Sequence, residues 1–252
     1  MNQKLLNRII AFFVFLISAV QFFVTAQPTL SFWDCGEFAA SSYSLQVPHP
    51  PGTPFFLLVG KLFSMIPFAE DIGFRINTVS ILSSAFSVLF LYLIIVKVIQ
   101  FYHKKELSTV AEGLKIYLPA AIGALSLSFS DTFWFNGVES EVYAFSTFFI
   151  ALVVWLMILW NEKADEPESE RYLILIFYLI GLSTGVHLMS VLAIVSVVMT
   201  VYFRKYLQNE ETLKQTGILF LIHAGIILVV AVLMWLSQTD AAPPSPEDFK
   251  AI

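Results

Sequence analysis

Long apolar stretches set the strongest limit on how this chain can fold. Hydrophobic residues make up 58% of its 252 positions and charged residues only 13%. A membrane-spanning helix needs about 20 predominantly apolar residues, and a bilayer admits only elements that satisfy their own backbone hydrogen bonds. We therefore predict an all-α polytopic membrane protein with about seven transmembrane helices, near residues 8–26, 76–101, 116–134, 142–160, 172–188, 189–203 and 216–237.

A further apolar segment, 53–69, decides the topology. It is short and carries Lys61 at its middle, so we expect it to lie along the membrane interface as an amphipathic helix. With that placement, eleven of the 14 Lys and Arg residues fall on one side, and the exceptions are Lys61, Arg75 and Lys250. The positive-inside rule makes the side with eleven cations cytoplasmic.

The apolar segments and the sides assigned to them by the Lys and Arg count divide the chain into four parts. Residues 1–26 form the first transmembrane helix, with its N-terminus in the cytoplasm. Residues 27–75 form a long external loop with interfacial helices, residues 76–237 hold six further transmembrane helices, and residues 238–252 form a polar, Pro-rich external tail.

The first apolar segment also has features of a cleavable signal peptide. Lys4 and Arg8 precede it, and residues 24–26 resemble a small-residue cleavage site. The apolar run 9–26 is longer than the usual ~7 to 15 residues of a signal peptide. We interpret it as a retained helix, with cleavage as the alternative.

Charge and cysteine content exclude some classes of protein. The net charge of −5 comes from acidic residues grouped in loops, so no basic stripe could follow a nucleic-acid backbone. Nucleic acid is therefore excluded as a partner. The single cysteine, Cys35, excludes an internal disulfide and is interpreted as a small apolar filler.

Two carboxylates, Asp34 and Glu37, follow the first apolar segment. Their spacing of three would put both on one face of a helix, and burial against Phe32, Trp33 and Phe38 would raise the pKa of at least one. Such a carboxylate could act as a general base. The alternative is that Asp34 caps the following helix and Glu37 completes the cap.

His49 lies in the stretch PHPPGTP, which cannot be a regular helix because its prolines lack the donor N–H groups. We expect a rigid turn that holds His49 in a defined place. An imidazole there could donate a hydrogen bond to a phosphate or a sugar hydroxyl. A turn histidine that faces solvent is the alternative.

Acidic and aromatic residues also gather before the predicted helix 142–160. Glu139 and Glu141 lie beside Trp134 and Tyr143, a combination that suits a polyhydroxylated ligand. The alternative is that one carboxylate only stabilises the helix N-terminus through the dipole. His187 lies near the external end of its predicted span, and an ionisable residue at membrane depth is a functional candidate.

Five stretches in this order resemble the GT-C membrane glycosyltransferases, in the branch of protein O-mannosyltransferase relatives related to the plexin O-mannosyltransferase. They are WDCGEF, HPPGTPFFLLVGKLF, FRINTVSILSS, ESEVYAFSTFF and GLSTGVHL, spread over residues 32–188. The resemblance implies a GT-C-like fold and transfer of a sugar, typically mannose, from a polyprenyl-phosphate donor to a hydroxyl of an acceptor protein. It implies a bacterial inner-membrane protein with a periplasmic site.

The resemblance also implies roles for individual residues. Asp34 would deprotonate the acceptor hydroxyl, which attacks the anomeric carbon with inversion, and Glu37 would assist it, so that 27–75 is the catalytic loop. His49 and Arg75 would engage the phosphate. The sugar would be bound by Glu139, Glu141, Tyr143 and His187. No cofactor is implied; the acids could hold a divalent metal, but no ligand spacing calls for one.

The chain is short for an enzyme of this class. The alternative is therefore a truncated or non-catalytic GT-C-like subunit that binds membrane lipid or a partner protein. A transporter would predict charges near mid-membrane and symmetry between halves. The sequence shows neither feature.

Overall fold

The computed structural model describes residues 2–50, 52–103, 107–206 and 210–239, and every regular element in those ranges is a helix. The all-α prediction is confirmed. Most of the predicted tail 238–252 lies outside the described residues. The α-helices are α1 (Gln3–Val24), α2 (Cys35–Ser44), α3 (Pro54–Met65), α4 (Ile72–His103), α5 (Val110–Ser128), α6 (Asp131–Gly137), α7 (Val142–Lys163), α8 (Glu170–Ser183), α9 (Ala193–Tyr206) and α10 (Glu210–Thr239), with a 3-10 helix at Leu188–Leu192.

Five helical segments among the described residues are long and apolar enough to cross a membrane: Gln3–Val24, Ile72–His103, Val110–Ser128, Val142–Lys163 and Leu188–Lys205. The chain is therefore a multi-pass membrane protein. At 1.5 Å per residue, α8 is only about 21 Å long and α3 about 18 Å, both shorter than a ~30 Å hydrocarbon core. The count of seven spans stays a prediction.

One predicted span has the wrong boundary. The sequence favoured a helix over 116–134, but α5 ends at Ser128 and the short helix α6 follows from Asp131. Apolar side chains such as Phe133 continue the hydrophobic pattern across this break, which hid the turn between the two helices. The predicted separation of 172–188 from 189–203 is confirmed, because residues 184–187 form a turn after α8.

Helices α1 and α4 run antiparallel. Three contacts pair successively later residues of α1 with earlier residues of α4: Asn7 with Tyr92 (2.6 Å between Oδ1 and Oη), Phe15 with Phe86 (ring centroids 4.7 Å apart) and Phe23 with Phe74 (5.4 Å). The segment 25–71 thus begins and ends at the same end of this helix pair. A segment that does not cross the membrane is expected to begin and end on the same side in this way.

Helix α7 runs parallel to α4. The Ser80 hydroxyl donates to the backbone oxygen of Glu141 near one end, and Lys97 pairs with Glu162 at 2.7 Å near the other. One end of this bundle therefore holds the C-terminus of α1 and the starts of α4 and α7. We call it the site end, because it carries the loops 25–34, 45–53 and 138–141.

Two large apolar clusters form much of the core of the described residues. Helices α1, α4 and α5 bury a set that includes Val14, Val88, Tyr92 and Ala120. Helices α2, α3 and α7 pack a second set around Phe56 and Phe149. The second cluster attaches α2 and α3 to the bundle and so positions the residues that precede and follow them.

The chain divides into two units. Residues Met1–Thr200 form the unit that contains all the groups discussed below. Residues Val201–Ile252 form the other, of which the structure describes the end of α9 and the helix α10. His223 lies in α10 and shares a hydrogen bond with the Leu219 carbonyl at 2.7 Å.

Candidate functional site

Asp34 stands at the start of α2, next to a strained residue. The preceding Trp33 has a φ of 64°, in the left-handed region, and its side chain is 86% exposed. Asp34 occupies the N-cap position, but its carboxylate makes no capping hydrogen bond. The capping interpretation of Asp34 and Glu37 is therefore wrong, and the exposed Asp34 carboxylate is left for another role.

Glu37 holds His49. One oxygen of its carboxylate accepts the backbone N–H of His49 at 2.6 Å, and the other lies 2.7 Å from Nδ1 of the ring. The His49 turn is closed by a second bond, from the Gly52 N–H to the His49 carbonyl at 3.0 Å. Gly52 has a φ of 76°, which favours glycine. A turn is therefore present at His49, and its rigidity stays a prediction.

The pair changes the titration of both groups. The hydrogen bonds from His49 lower the pKa of Glu37, and the bond to Glu37 raises the pKa of His49, with smaller contributions from Asp34 and Glu141. Stabilisation from Glu37 is lost as pH falls through its lowered pKa. Stabilisation from His49 is lost as pH rises through its raised pKa. Between those limits His49 is an imidazolium.

Ligand atoms of Asp34, Glu37 and His49 lie within 4.8 Å of one another at the surface. An open apolar groove of about 480 Å³ begins beside this group. Its lining includes Leu45, Val47, Pro48, Leu57 and Leu58.

A second group of ionisable residues is buried. Cys35, Glu139 and Glu141 are 1%, 3% and 7% exposed, and one ligand atom of each lies within 4.8 Å of the others. The Cys35 thiol donates to Oε1 of Glu141 at 3.5 Å. We call these three residues the buried cluster. Glu141 is the N-cap of α7 without a side-chain capping bond, and it lies at the positive end of the helix dipole, so the dipole alternative stays a prediction.

Burial raises the pKa of two members of this cluster, Cys35 and Glu141. Desolvation raises the pKa of the Cys35 thiol to about 12, although a hydrogen bond with Ser31 shifts this pKa in the opposite direction. Desolvation also raises the pKa of Glu141, and the charges of Glu139 and Asp34 raise it further. The influence of Asp34 on Glu141 shows that the exposed group and the buried cluster lie close together.

Polar residues of α4 hold the segment 138–141 in place. Asn77 donates to the carbonyls of Gln27 and Thr29 at 2.8 and 3.0 Å and accepts a hydrogen bond from the Ser140 hydroxyl. The Gln27 N–H in turn donates to the Val138 carbonyl at 2.9 Å. The loop after α1 and the loop before α7 are therefore joined through one buried amide.

Tyr143 and His187 meet at the same end. Their ring centroids lie 5.1 Å apart, and Tyr143 is 44% exposed. Nδ1 of His187 accepts the Met189 N–H at 3.1 Å, so a neutral ring carries its proton on Nε2. The preceding Gly185 packs against α3, where its carbonyl accepts the Phe55 N–H at 2.7 Å.

Lys61 and Arg75, the two cations of segment 27–75, contact backbone carbonyls. Arg75 donates to the carbonyls of Ala69 and Ser64 at 2.6 and 3.0 Å, and Lys61 donates to the carbonyl of Tyr43 at 2.6 Å. No described contact brings Arg75 to a carboxylate of the site. Its assignment to phosphate stays a prediction.

The structure adds residues that the sequence reasoning missed. Cys35 belongs to the buried cluster instead of filling an apolar space, and its position between two site carboxylates was the available signal. Asn77, Ser80 and Ser140 position the site, but nothing local distinguishes them from other polar residues in a helix. Trp134, expected near a sugar, donates instead to the Thr25 hydroxyl at 2.7 Å.

Membrane-length helices with carboxylates, histidines and a thiol gathered at one end define a polytopic membrane protein with a polar cluster at that end. Residues 34–210 match the family described as the protein O-mannosyl-transferase TMEM260 N-terminal domain. That match covers most of the chain, and the chain belongs to this family.

Two curated relatives are similar to the chain. The protein O-mannosyl-transferase tmem260 of Dictyostelium discoideum is 25% identical over 161 residues, which cover 63% of this chain and 18% of that protein. The mouse protein O-mannosyl-transferase TMEM260 is 27% identical over 201 residues, 79% of this chain and 26% of that protein. The chain thus spans only a part of these relatives. No solved structure matches it.

Proposed function

We propose that the chain carries the catalytic face of a membrane mannosyltransferase, which moves a sugar from a polyprenyl-phosphate donor to a hydroxyl of an acceptor protein. The names of the relatives support mannose as the sugar and protein as the acceptor. One observation carries the proposal. Asp34, Glu37 and His49 lie within reach of one another beside an open apolar groove.

In the proposed reaction Asp34 is the general base. It takes the proton of the acceptor hydroxyl while the hydroxyl oxygen forms a bond to the anomeric carbon. The bond between that carbon and the phosphate oxygen breaks on the opposite face, and the phosphate leaves with the electron pair, so the configuration inverts. An exposed carboxylate that is not used as a helix cap is suited to this task.

His49 is the group proposed to meet the leaving phosphate. Because its pKa is raised, it carries positive charge over a wider pH range than a free histidine. Charge placed in advance where negative charge develops lowers the barrier of such a step. Glu37 serves as a positioning residue, because it fixes both the backbone and the ring of His49.

The lipid and the sugar take neighbouring places. The apolar groove next to His49 suits a polyprenyl chain, whose methylenes gain about 0.8 kcal/mol each on burial. Tyr143 and His187 offer an exposed aromatic face and a free Nε2 for sugar hydroxyls. Direct sugar contacts from Glu139 and Glu141 stay a prediction, since both carboxylates are buried.

The site is proposed to face the external compartment. Lys97 lies near the opposite end of α4 from the site, as the positive-inside rule requires of a cytoplasmic end. The relatives named above come from eukaryotes, so the earlier placement in a bacterial inner membrane stays a prediction.

The experiment is transfer of mannose from a polyprenyl-phosphate mannose to acceptor protein in membranes that contain the full chain. Asp34→Asn should reduce the rate by at least about 100-fold, the usual contribution of a general base. Asp131→Asn is the matched control, since Asp131 is an exposed acid at the start of α6. Transfer that is unaffected by Asp34→Asn would refute the assignment.

A non-catalytic subunit remains the second candidate, because the chain spans 18% and 26% of its two relatives. In that case the wild-type chain alone would transfer no sugar. It would still bind a partner protein or membrane lipid through the same end.

A further inference from the structure

The buried cluster holds two carboxylates for which no cation is found among the described residues. Glu139 is only 3% exposed, and its carboxylate makes no hydrogen bond or ion pair with any described residue. The partners of Glu141 are the Cys35 thiol at 3.5 Å and the backbone of Val142. A buried carboxylate without a partner is costly, so such groups are normally paired or coordinate a metal. Glu139 directs its unpartnered carboxylate toward the other two residues.

We propose that Cys35, Glu139 and Glu141 bind a divalent transition-metal cation of the zinc class. Their three ligand atoms lie within 4.8 Å of one another, and all three side chains are buried. The site joins the first residue of α2 to the residues just before α7. It differs from the exposed group of Asp34, Glu37 and His49, which the proposed reaction uses.

The distances fit a tetrahedral ion. Zinc lies about 2.3 Å from a thiolate sulfur and about 2.1 Å from a carboxylate oxygen, so in a tetrahedral site those two atoms are roughly 3.6 Å apart. The observed separation of Sγ of Cys35 and Oε1 of Glu141 is 3.5 Å. A small movement of the Glu139 carboxylate would complete a three-ligand set.

The ligand types select the metal. A thiolate favours zinc and related soft cations, whereas magnesium and calcium prefer oxygen ligands alone. On binding, the Cys35 thiol forms a bond from sulfur to the cation and releases its proton to water.

Three protein ligands leave a fourth position open, as in catalytic zinc sites. Asp34 is adjacent to Cys35 in the chain, so an ion at the buried cluster would place positive charge next to the candidate base. A phosphate oxygen could take the open position, and no described hydrogen bond or ion pair brings Lys61 or Arg75 to the buried cluster. This last step rests on the proposed function, but the metal site itself does not.

The test is titration of the purified full-length chain in detergent with Co²⁺ after treatment with a chelator. We expect one equivalent to bind with a thiolate-to-cobalt absorption band, and Zn²⁺ to abolish the band. Cys35→Ser should remove the band, and Glu139→Gln or Glu141→Gln should weaken binding at least 10-fold. Glu70→Gln is the control, because Glu70 is an exposed acid of the same external region.

Each outcome is informative. Absence of a saturable equivalent in the wild-type chain, binding without a thiolate band, or binding that all three variants leave unchanged would overturn the proposal. Size-exclusion profiles identify a variant that fails to fold. In that case the remaining two of the three variants decide whether the buried cluster binds the metal. Cobalt binding without any mannose transfer would refute only the proposed function, and transfer by a chain that binds no cobalt would refute only the metal site.

Discussion

Glu37 accepts two hydrogen bonds from His49, one from the backbone N–H at 2.6 Å and one from the ring at 2.7 Å, across 12 residues of chain. A single carboxylate thus fixes both the position and the charge of the imidazole. The prolines around His49 limit the turn, and Glu37 selects one orientation of the ring within it.

Glu37→Gln should lower the pKa of His49 toward the ordinary histidine value, because the bond to the carboxylate is the largest cause of its increase. The imidazolium would then be lost at a lower pH. NMR of the chain labelled at histidine would follow this titration, with His49→Gln to assign the signal. Glu70→Gln should leave the titration unchanged, and an unchanged pKa in Glu37→Gln would contradict the interpretation.

Gly60→Ala should destabilise the packing of α3 on α2. The added Cβ would lie 2.5 Å from Oγ and 2.9 Å from Cβ of Ser42, closer than side chains tolerate. The expected loss is about 1–3 kcal/mol, seen as a lower unfolding temperature. Gly181→Ala is the matched control, since nothing lies within 4 Å of its added Cβ. Equal unfolding temperatures for the two variants would speak against the described contact.

Asn77→Leu should loosen the junction between the loop after α1 and the loop before α7. It would leave the Gln27 and Thr29 carbonyls and the buried Ser140 hydroxyl without this partner, at a cost of about 3 kcal/mol. Thermal unfolding and protease cleavage near residues 27–29 would measure the effect. Asn136→Leu removes only an exposed bond within α6 and should change stability by about 0.5 kcal/mol or less. Protease resistance equal to that of the wild type would argue against this junction.

Single cysteines should report the orientation. Val47 is 91% exposed beside the site, and Tyr102 is 78% exposed near the far end of α4. The native Cys35 is 1% exposed and should not react. In intact cells, an impermeant maleimide should label Val47→Cys and should label Tyr102→Cys only after permeabilisation. The reverse pattern would place the site on the cytoplasmic side.

The sequence predicted the helices and the gathering of polar groups better than it predicted their contacts. Apolar runs indicated α1, α4 and α7, and the distribution of Lys and Arg indicated that 53–69 does not cross. An apolar run is a local signal, and a count of Lys and Arg is a sum over the chain. Both can be read without knowing which segments contact each other.

Contacts between residues that are far apart in the sequence leave no comparable pattern in either segment. Nothing near Cys35 indicates Glu141, and nothing near Asn77 indicates Gln27 or Ser140, because packing of whole helices brings these pairs together. The carbonyl partners of Arg75 were hidden for the same reason. The structure shows the Arg75 guanidinium bonded to the carbonyls of Ala69 and Ser64, and its assignment to phosphate stays a prediction.

The contact between Cys35 and Glu141 also has a consequence for biosynthesis. The two residues are 106 positions apart, so at about 5–20 residues per second a ribosome needs roughly 5–20 s to reach the second after the first. During that interval α4 and α5 are made before the carboxylate that covers the thiol exists. Cys35 is therefore open to oxidants and thiol reagents in the nascent chain, and it becomes protected when the residues before α7 fold over it.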